Sequence, residues 1–273
     1  MIRNITSLGE KEARLIINLR TTGKTVFDFA DAKRASGETN ARNVAQRLYA
    51  LTKKGWLERL EKGRYLILPF EAGENRVYTA HEFIIAAHLV KPYYIGFRSA
   101  LNYYGFTEQI SKTVYVVTDR QKKSLELDGT VFRFVKFRQE KQFGITNVTI
   151  DTEKINISNK EKTIVDCLDR LGYAGGIAEV AKALVMGGQE LDLDRLMDYS
   201  SRFDSKALAQ RLGFLLECTG IAGEEVLAMI RHQTGRSYVK LDPMSPDRGR
   251  YMARWHLRVN VSDDAIVEWQ ASR

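Results

Sequence analysis

Residues 39–68 read TNARNVAQRLYALTKKGWLERLEKGRYLIL, and this stretch decides the N-terminal fold. Its first half predicts a helix from about Thr39 to Lys54. Val44, Leu48 and Leu51 recur at i, i+4 and i+7, so they share one face, and Gly55 ends the run. The second half has two apolar runs on either side of Glu61-Lys62-Gly63, with glycine where positive φ is easiest, which predicts a β-hairpin. Upstream, Ser7-Leu8-Gly9-Glu10 has the capping-box pattern of a hydroxyl followed three residues later by a carboxylate. It opens a first helix with Ala13, Ile16, Ile17 and Leu19 on one side, ending near Gly23. Thr25-Val26-Phe27-Asp28 repeats that start signal for a short second helix with Val26, Phe29 and Ala30 inward, and Gly37 follows its end. Three helices and a hairpin at these lengths are the order of a winged helix-turn-helix.

The face of the third helix opposite its apolar row holds Asn40, Arg42, Asn43, Gln46 and Arg47. Arginine can pair with guanine O6 and N7, and asparagine or glutamine with adenine N6 and N7. Thr39, expected at the N-cap, can bring its hydroxyl and the helix amides to a phosphate. Around the hairpin turn, Arg59, Lys62 and Arg64 can neutralise phosphates. Charge is concentrated in the same place. The chain of 273 residues has a net charge of +8, and residues 1–69 hold 14 Lys/Arg against 7 Asp/Glu, leaving the other 204 residues at +1. A solubility device would spread this charge, whereas a module for a polyanion concentrates it.

Several classes drop out. Arg3, Glu10, Lys11 and Glu12 interrupt any secretory apolar run, and the longest apolar stretch, Phe83 to Val90, is too short to span a bilayer, so no membrane partner is expected. Cys167 and Cys218 are isolated, and four scattered histidines make no zinc spacing, which fits a reduced, cytoplasmic setting. A domain boundary is expected between Pro69 and Arg76, dividing the chain into residues 1–72 and 73–273.

Beyond it, Thr79-Ala80-His81-Glu82 opens a helix through Val90. Strand-like runs follow at 93–96, 113–118, 131–137 and 148–150, with a short helix over 98–104 closed by Gly105. Helices are expected at about 159–171, 176–186, 192–200, 205–218 and 223–233, then strands at 237–241 and 253–261. Strands followed by helices with a late return to strand predict an α+β domain rather than a regularly alternating one. The whole chain therefore reads as α+β, a winged helix-turn-helix followed by a larger mixed domain.

Catalytic patterns are scarce. Gly175-Gly176 and Gly187-Gly188 lack the following Gly-Lys-Ser/Thr of a phosphate loop, and no Gly-x-Ser-x-Gly elbow occurs. Asp192 and Asp194 have the spacing of a nucleotidyltransferase metal pair, but they stand where a helix begins and read as helix-capping acids. His81 and His88 read as packing or surface residues, and Glu140-Lys141 and Glu153-Lys154 carry no nuclease signature. No catalytic residue, metal or cofactor is expected.

An ordered set of motifs carries a family likeness. Tyr93-Tyr-Ile-Gly-Phe-Arg-Ser-Ala-Leu-Asn-Tyr-Tyr-Gly-Phe-Thr-Glu-Gln-Ile110, then Thr113 to Thr118, Lys160-Glu-Lys-Thr-Ile-Val-Asp-Cys167, Gly175-Gly-Ile177, Arg211-Leu-Gly213 and Leu241-Asp-Pro243 follow one another. In order and approximate spacing they resemble the AbiEi family, antitoxins and transcriptional regulators of type IV toxin–antitoxin systems. The resemblance implies a non-enzymatic repressor that binds inverted repeats in the promoter of its own operon, as double-stranded DNA. It also implies an antitoxin role for the C-terminal domain against a co-encoded nucleotidyltransferase-like toxin, with or without direct contact. Arg98, Lys162 and Arg211 are the polar members of these motifs expected on an antitoxin surface, beside the alternative that the motifs maintain the fold. Two other readings stay open: a DNA-targeted nuclease or nucleotidyltransferase, and a repressor that senses a metabolite.

Overall fold

The computed structural model describes residues 7–68, 81–127, 129–262 and 264–267. The chain forms two compact units, Met1–Lys91 with Thr149–Ile155, and Pro92–Val148 with Asn156–Arg273. The boundary read from the sequence, Pro69 to Arg76, and the cap residue Thr79 lie outside the described residues. The first unit extends past residue 72 and takes up the helix that follows.

In the first unit α1 (Glu10–Thr21), β1 (Val26–Asp28), α2 (Phe29–Ser36), α3 (Ala41–Lys53), β2 (Leu57–Glu61), β3 (Arg64–Ile67) and α4 (Glu82–Leu89) follow in order. Helix α1 is capped by Gly9, not Ser7: the Gly9 N–H donates to Glu12 Oε2 at 2.8 Å, and Glu12 also accepts from Lys54 Nζ at 2.7 Å. Thr25–Asp28 does not start a helix. Val26 and Phe27 are β-formers whose side chains are buried, and they pair antiparallel with β3, Val26 opposite Leu66 and Phe27 opposite Tyr65. Asp28 then caps α2, its carboxylate accepting from Asp31 N at 2.8 Å. The sheet order is β1-β3-β2. Leu15, Ile16, Leu19, Phe27, Val44, Leu48, Leu51, Trp56 and Ile67 meet in its core. Helix α4 has Phe83, Ile84, Ile85, Ala86, Ala87 and Leu89 buried, so nearly every face is covered.

The second unit is built on β4 (Tyr94–Ile95), α5 (Phe97–Tyr103), β5 (Thr113–Thr118), β6 (Leu125–Leu127), β7 (Thr130–Lys136), β8 (Ile145–Ile150) and β9 (Glu153–Ser158). These strands form one mixed sheet in the order β6-β7-β5-β4-β9-β8. Strand β5 is parallel to β7 and antiparallel to β4, and β4 is parallel to β9. The tip of the β8–β9 hairpin, 149–155, belongs to the first unit. Helices α6 (Lys160–Asp169), α7 (Ile177–Gly187), α8 (Leu193–Phe203), α9 (Lys206–Thr219) and α10 (Glu224–Gln233) follow. A small sheet closes the unit, with β12 (Leu257–Val259) between β10 (Val239–Lys240) and β11 (Arg250–Met252), before a last short helix, α11 (Asp264–Val267). The chain is thus α+β, with strands and helices segregated along the sequence.

Helix α6 is the hub. Eight of its ten residues are buried, from Glu161 to Leu168, and it packs against α5, α7, α8 and α9. Gly213 of α9 makes room for Trp255: a Cβ there would stand 2.1 Å from the indole ring. Among the described residues no helix is long and apolar enough to cross a membrane.

Candidate nucleic-acid interface

Helix α3 buries Val44, Leu48 and Leu51 and turns its other side outward. On that side Arg42, Gln46, Tyr49 and Lys53 are exposed and follow one another at i, i+4, i+7 and i+11, one continuous stripe. Tyr49 is 71% exposed. The side chains of Arg42, Gln46 and Lys53 make no hydrogen bond or ion pair among the described residues. The stripe therefore offers a guanidinium, an amide, a phenol and an ammonium in a row. Tyr49 and Lys53 were not picked out from the sequence, although their spacing from Arg42 was there to be read.

The other expected residues divide. Asn40, not Thr39, caps α3: its Oδ1 accepts from Arg42 N at 2.9 Å, so the asparagine carbonyl is engaged and Thr39 stands outside the helix, exposed. Arg47 is turned inward. Its Nη2 meets Glu38 Oε1 at 2.8 Å and its side chain is only 12% exposed. Glu38 also accepts from Asn43 Nδ2 at 3.5 Å, and the bonds from Arg47 and Asn43 hold its carboxyl below the usual range. These residues brace the start of α3 against the preceding loop.

The β2–β3 turn is tight. Strand β2 runs to Glu61, leaving Lys62 and Gly63 to turn the chain, and Gly63 has φ +78. Lys62 and Arg59 are exposed, whereas Arg64 pairs with Glu61 across 2.9 Å. The charge of the unit is smaller than that of residues 1–69. Adding residues 70–91 and 149–155 brings three bases and five acids, and 17 Lys/Arg against 12 Asp/Glu leave +5. Arg42, Lys53, Arg59 and Lys62 keep the excess at the α3 stripe and the turn.

The residues expected on an antitoxin surface are drawn into the second unit instead. Lys162 is completely buried, and its ammonium donates to Asp166 and, at 3.0 Å, to the Tyr94 hydroxyl, which in turn donates to Asp166 Oδ2 at 2.9 Å. The rings of Tyr94, Phe137, Phe143 and Phe203 surround the ammonium at 4.8–5.4 Å. Burial pushes the Lys162 ammonium down and the Asp166 carboxyl up, each toward its neutral form, against their mutual attraction. The Cys167 thiol next to them is pushed well up by burial, and neither Cys167 nor Cys218 forms a disulfide among the described residues.

Arg211, also buried, donates from Nε to the Leu241 carbonyl at 3.0 Å and from Nη2 to Lys240 O at 3.1 Å. One residue on, Asp242 Oδ2 accepts from Ile177 N at 2.9 Å and so closes the start of α7. Gly175 and Gly176 have φ +103 and +99, and a Cβ would strike Arg98 at the first and Asp242 at the second. Arg98, half-buried, donates from Nε to Ala174 O at 3.2 Å. The Arg98, Gly175-Gly176, Arg211 and Leu241-Asp242 segments, far apart in sequence, meet around one helix start. Their polar atoms satisfy backbone groups there, which is the fold-maintaining alternative.

Other expected readings resolve locally. Asp192 caps α8, accepting from Arg195 N at 3.0 Å, so the Asp192/Asp194 spacing belongs to a helix start. His81 caps α4, accepting at Nδ1 from Phe83 N. His88 is neither simple packing nor bare surface: its Nε2 lies 2.7 Å from Glu153 Oε2 in the same unit.

No protein-family model matches the chain, and no curated protein matches it. Among solved structures, the fold is similar to the crystal structure of the Rv2827c protein from Mycobacterium tuberculosis. The TM-score is 0.67 at 12% sequence identity, over 93% of each chain. At that identity the likeness speaks of fold.

Proposed function

We propose that the first unit is a winged helix-turn-helix that binds double-stranded DNA, with α3 in the major groove and the β2–β3 turn as the wing. The observation that carries this reading is the stripe of Arg42, Gln46, Tyr49 and Lys53 on a helix whose other face is core. Recognition helices read base edges with their N-terminal residues, and Arg42 and Gln46 lie in the first half of α3. Arg59 and Lys62 at the turn, with Lys53 at the far end of α3, suit phosphate contacts. Glu38, Arg47 and Asn40 fix the helix start that must enter the groove.

The resemblance to the AbiEi family supports the wider role. The chain represses its own operon from promoter inverted repeats and serves as the cytoplasmic antitoxin to a nucleotidyltransferase-like toxin. In this reading it is not an enzyme, and the buried motif residues hold the second unit in shape rather than touching the toxin themselves. The test is a reporter driven by the DNA upstream of its gene, together with footprinting of that DNA. Repression lost on scrambling an inverted repeat, with protection over the same repeat, is the expected result. Unchanged expression and no protected segment reject the repressor.

A further inference from the structure

The second unit holds a polar pocket of about 160 Å³ where the end of α8, the start of α9 and the end of α10 come together. Apart from Ala209, every side chain lining it is polar, among them Ser200, Asp204, Ser205, Lys206, His232 and Gln233. Two of them are left with an unmet atom. Ser200 is 2% exposed, yet its Oγ has no hydrogen-bond partner, and Oε1 of Gln233 is likewise buried and unpartnered. A serine within a helix usually returns its hydroxyl to the carbonyl a turn back, and buried polar atoms are nearly always paired, so both atoms wait for a partner from the pocket.

The pocket has two poles. Helix α9 opens with Ser205 as its N-cap, so its first amides and the Lys206 ammonium give a positive side. Helix α10 ends at Gln233, so its last carbonyls, with the Asp204 carboxylate, give a negative side. Lys206 and Asp204 make no ion pair with each other or with any other described residue. A simple anion would meet Asp204, and a simple amine would leave the Lys206 ammonium unmatched. A cavity of about 150 Å³ takes a molecule the size of benzene, which is the scale of a small amino acid.

We propose that this pocket binds a free α-amino acid. Its carboxylate sits at the start of α9 with Lys206 and the Ser200 hydroxyl, and its ammonium sits at Asp204 and the Gln233 carbonyl oxygen. The inference stands on the second unit alone and is independent of the DNA-binding reading.

Titration calorimetry of the full chain with each of the twenty standard amino acids tests it, with acetate and methylammonium as ligands bearing one charge. Saturable one-to-one binding of at least one amino acid is expected, with both controls at least about tenfold weaker. Ser200→Ala, Gln233→Met and the surface change Lys206→Met should each weaken that binding by about tenfold, with helix content unchanged by circular dichroism. Three results overturn the proposal: no saturation by any amino acid at about 10 mM, acetate or methylammonium binding as tightly as the amino acid, or an affinity that none of the folded variants alters.

Discussion

Arg47 gives its guanidinium to Glu38 at 2.8 Å, whereas Arg42, five residues earlier on the same helix, has no ion pair or side-chain hydrogen bond among the described residues. The two arginines of α3 therefore have different work. Arg42→Ala should cost about 1–3 kcal/mol of binding to the upstream DNA and relax the preference at one base pair. Arg47→Ala should leave that preference intact and instead lower the melting temperature of the first unit. Binding measured against single-base variants of the site, beside thermal melts, checks both. Relaxed specificity from Arg47→Ala rather than Arg42→Ala reverses the assignment.

Lys62 at the β2–β3 turn is exposed and, among the described residues, unpaired. Its change to alanine should weaken binding to specific and random DNA alike and make the slope of log affinity against log salt shallower by about 1. Salt titrations of the two proteins on both DNAs measure it. A loss confined to the specific site makes Lys62 a base reader.

The buried Lys162–Asp166 pair sets a stability prediction. Removing one partner leaves a buried ionisable group without its match, so Lys162→Met should cost about 3–5 kcal/mol, while Lys162→Met with Asp166→Leu should recover much of the loss. Denaturant melts of the single and double variants decide this. A double variant no better than the single makes the pairing irrelevant and the shape of the site decisive. Gly213→Ala acts on the same core: the new methyl drives the fully buried Trp255 from its place, at a cost of at least about 1–3 kcal/mol in the same melts.

Acid sensitivity should come from the first unit. Burial favours the neutral form of Glu12, but the hydrogen bonds from Lys54 and the Gly9 amide, with the Lys54 charge, outweigh it and hold the carboxyl below its ordinary 4.5. With the folded value depressed, the unfolded chain takes up the proton first as pH falls. The stabilisation is therefore complete above about pH 4.5 and is lost below it. Glu12→Gln should destabilise the unit by about 1 kcal/mol at pH 7 and flatten its pH dependence in the acid range. Melts from pH 7 to pH 3 read both effects.

Helices with strong caps and one apolar face were legible from sequence alone. Gly55 marks the end of α3 within two residues, and the helices expected at about 159–171 and 205–218 match α6 and α9 within a residue or two at each end. The misreadings are those where a tertiary partner decides. Val26-Phe27 carries a helix-start signal behind it, but β3 gives it a sheet edge to join. Strand β9 hides an alternation, with Ile155 and Ile157 buried between polar neighbours, and β6 is only Leu125–Leu127. The site followed the same rule. The exposed stripe of α3 was half visible as periodicity, whereas the capture of Arg47 by Glu38 needs a loop brought close by the fold. Lys162 and Asp166 stand at i, i+4, a spacing common on wet helix surfaces, and nothing local announces that both are buried.

In the proposed function the α3 stripe and the β2–β3 turn form a DNA-reading face. The most direct measurement is the affinity of the full chain for the DNA upstream of its gene, against random DNA of equal length, as salt is raised. About six neutralised phosphates predict a slope near −5 in log affinity against log salt, with the upstream DNA bound at least about 10³-fold tighter than random sequence. A flat salt dependence, or equal affinity for both DNAs, rules out a DNA-reading face on α3 and the turn.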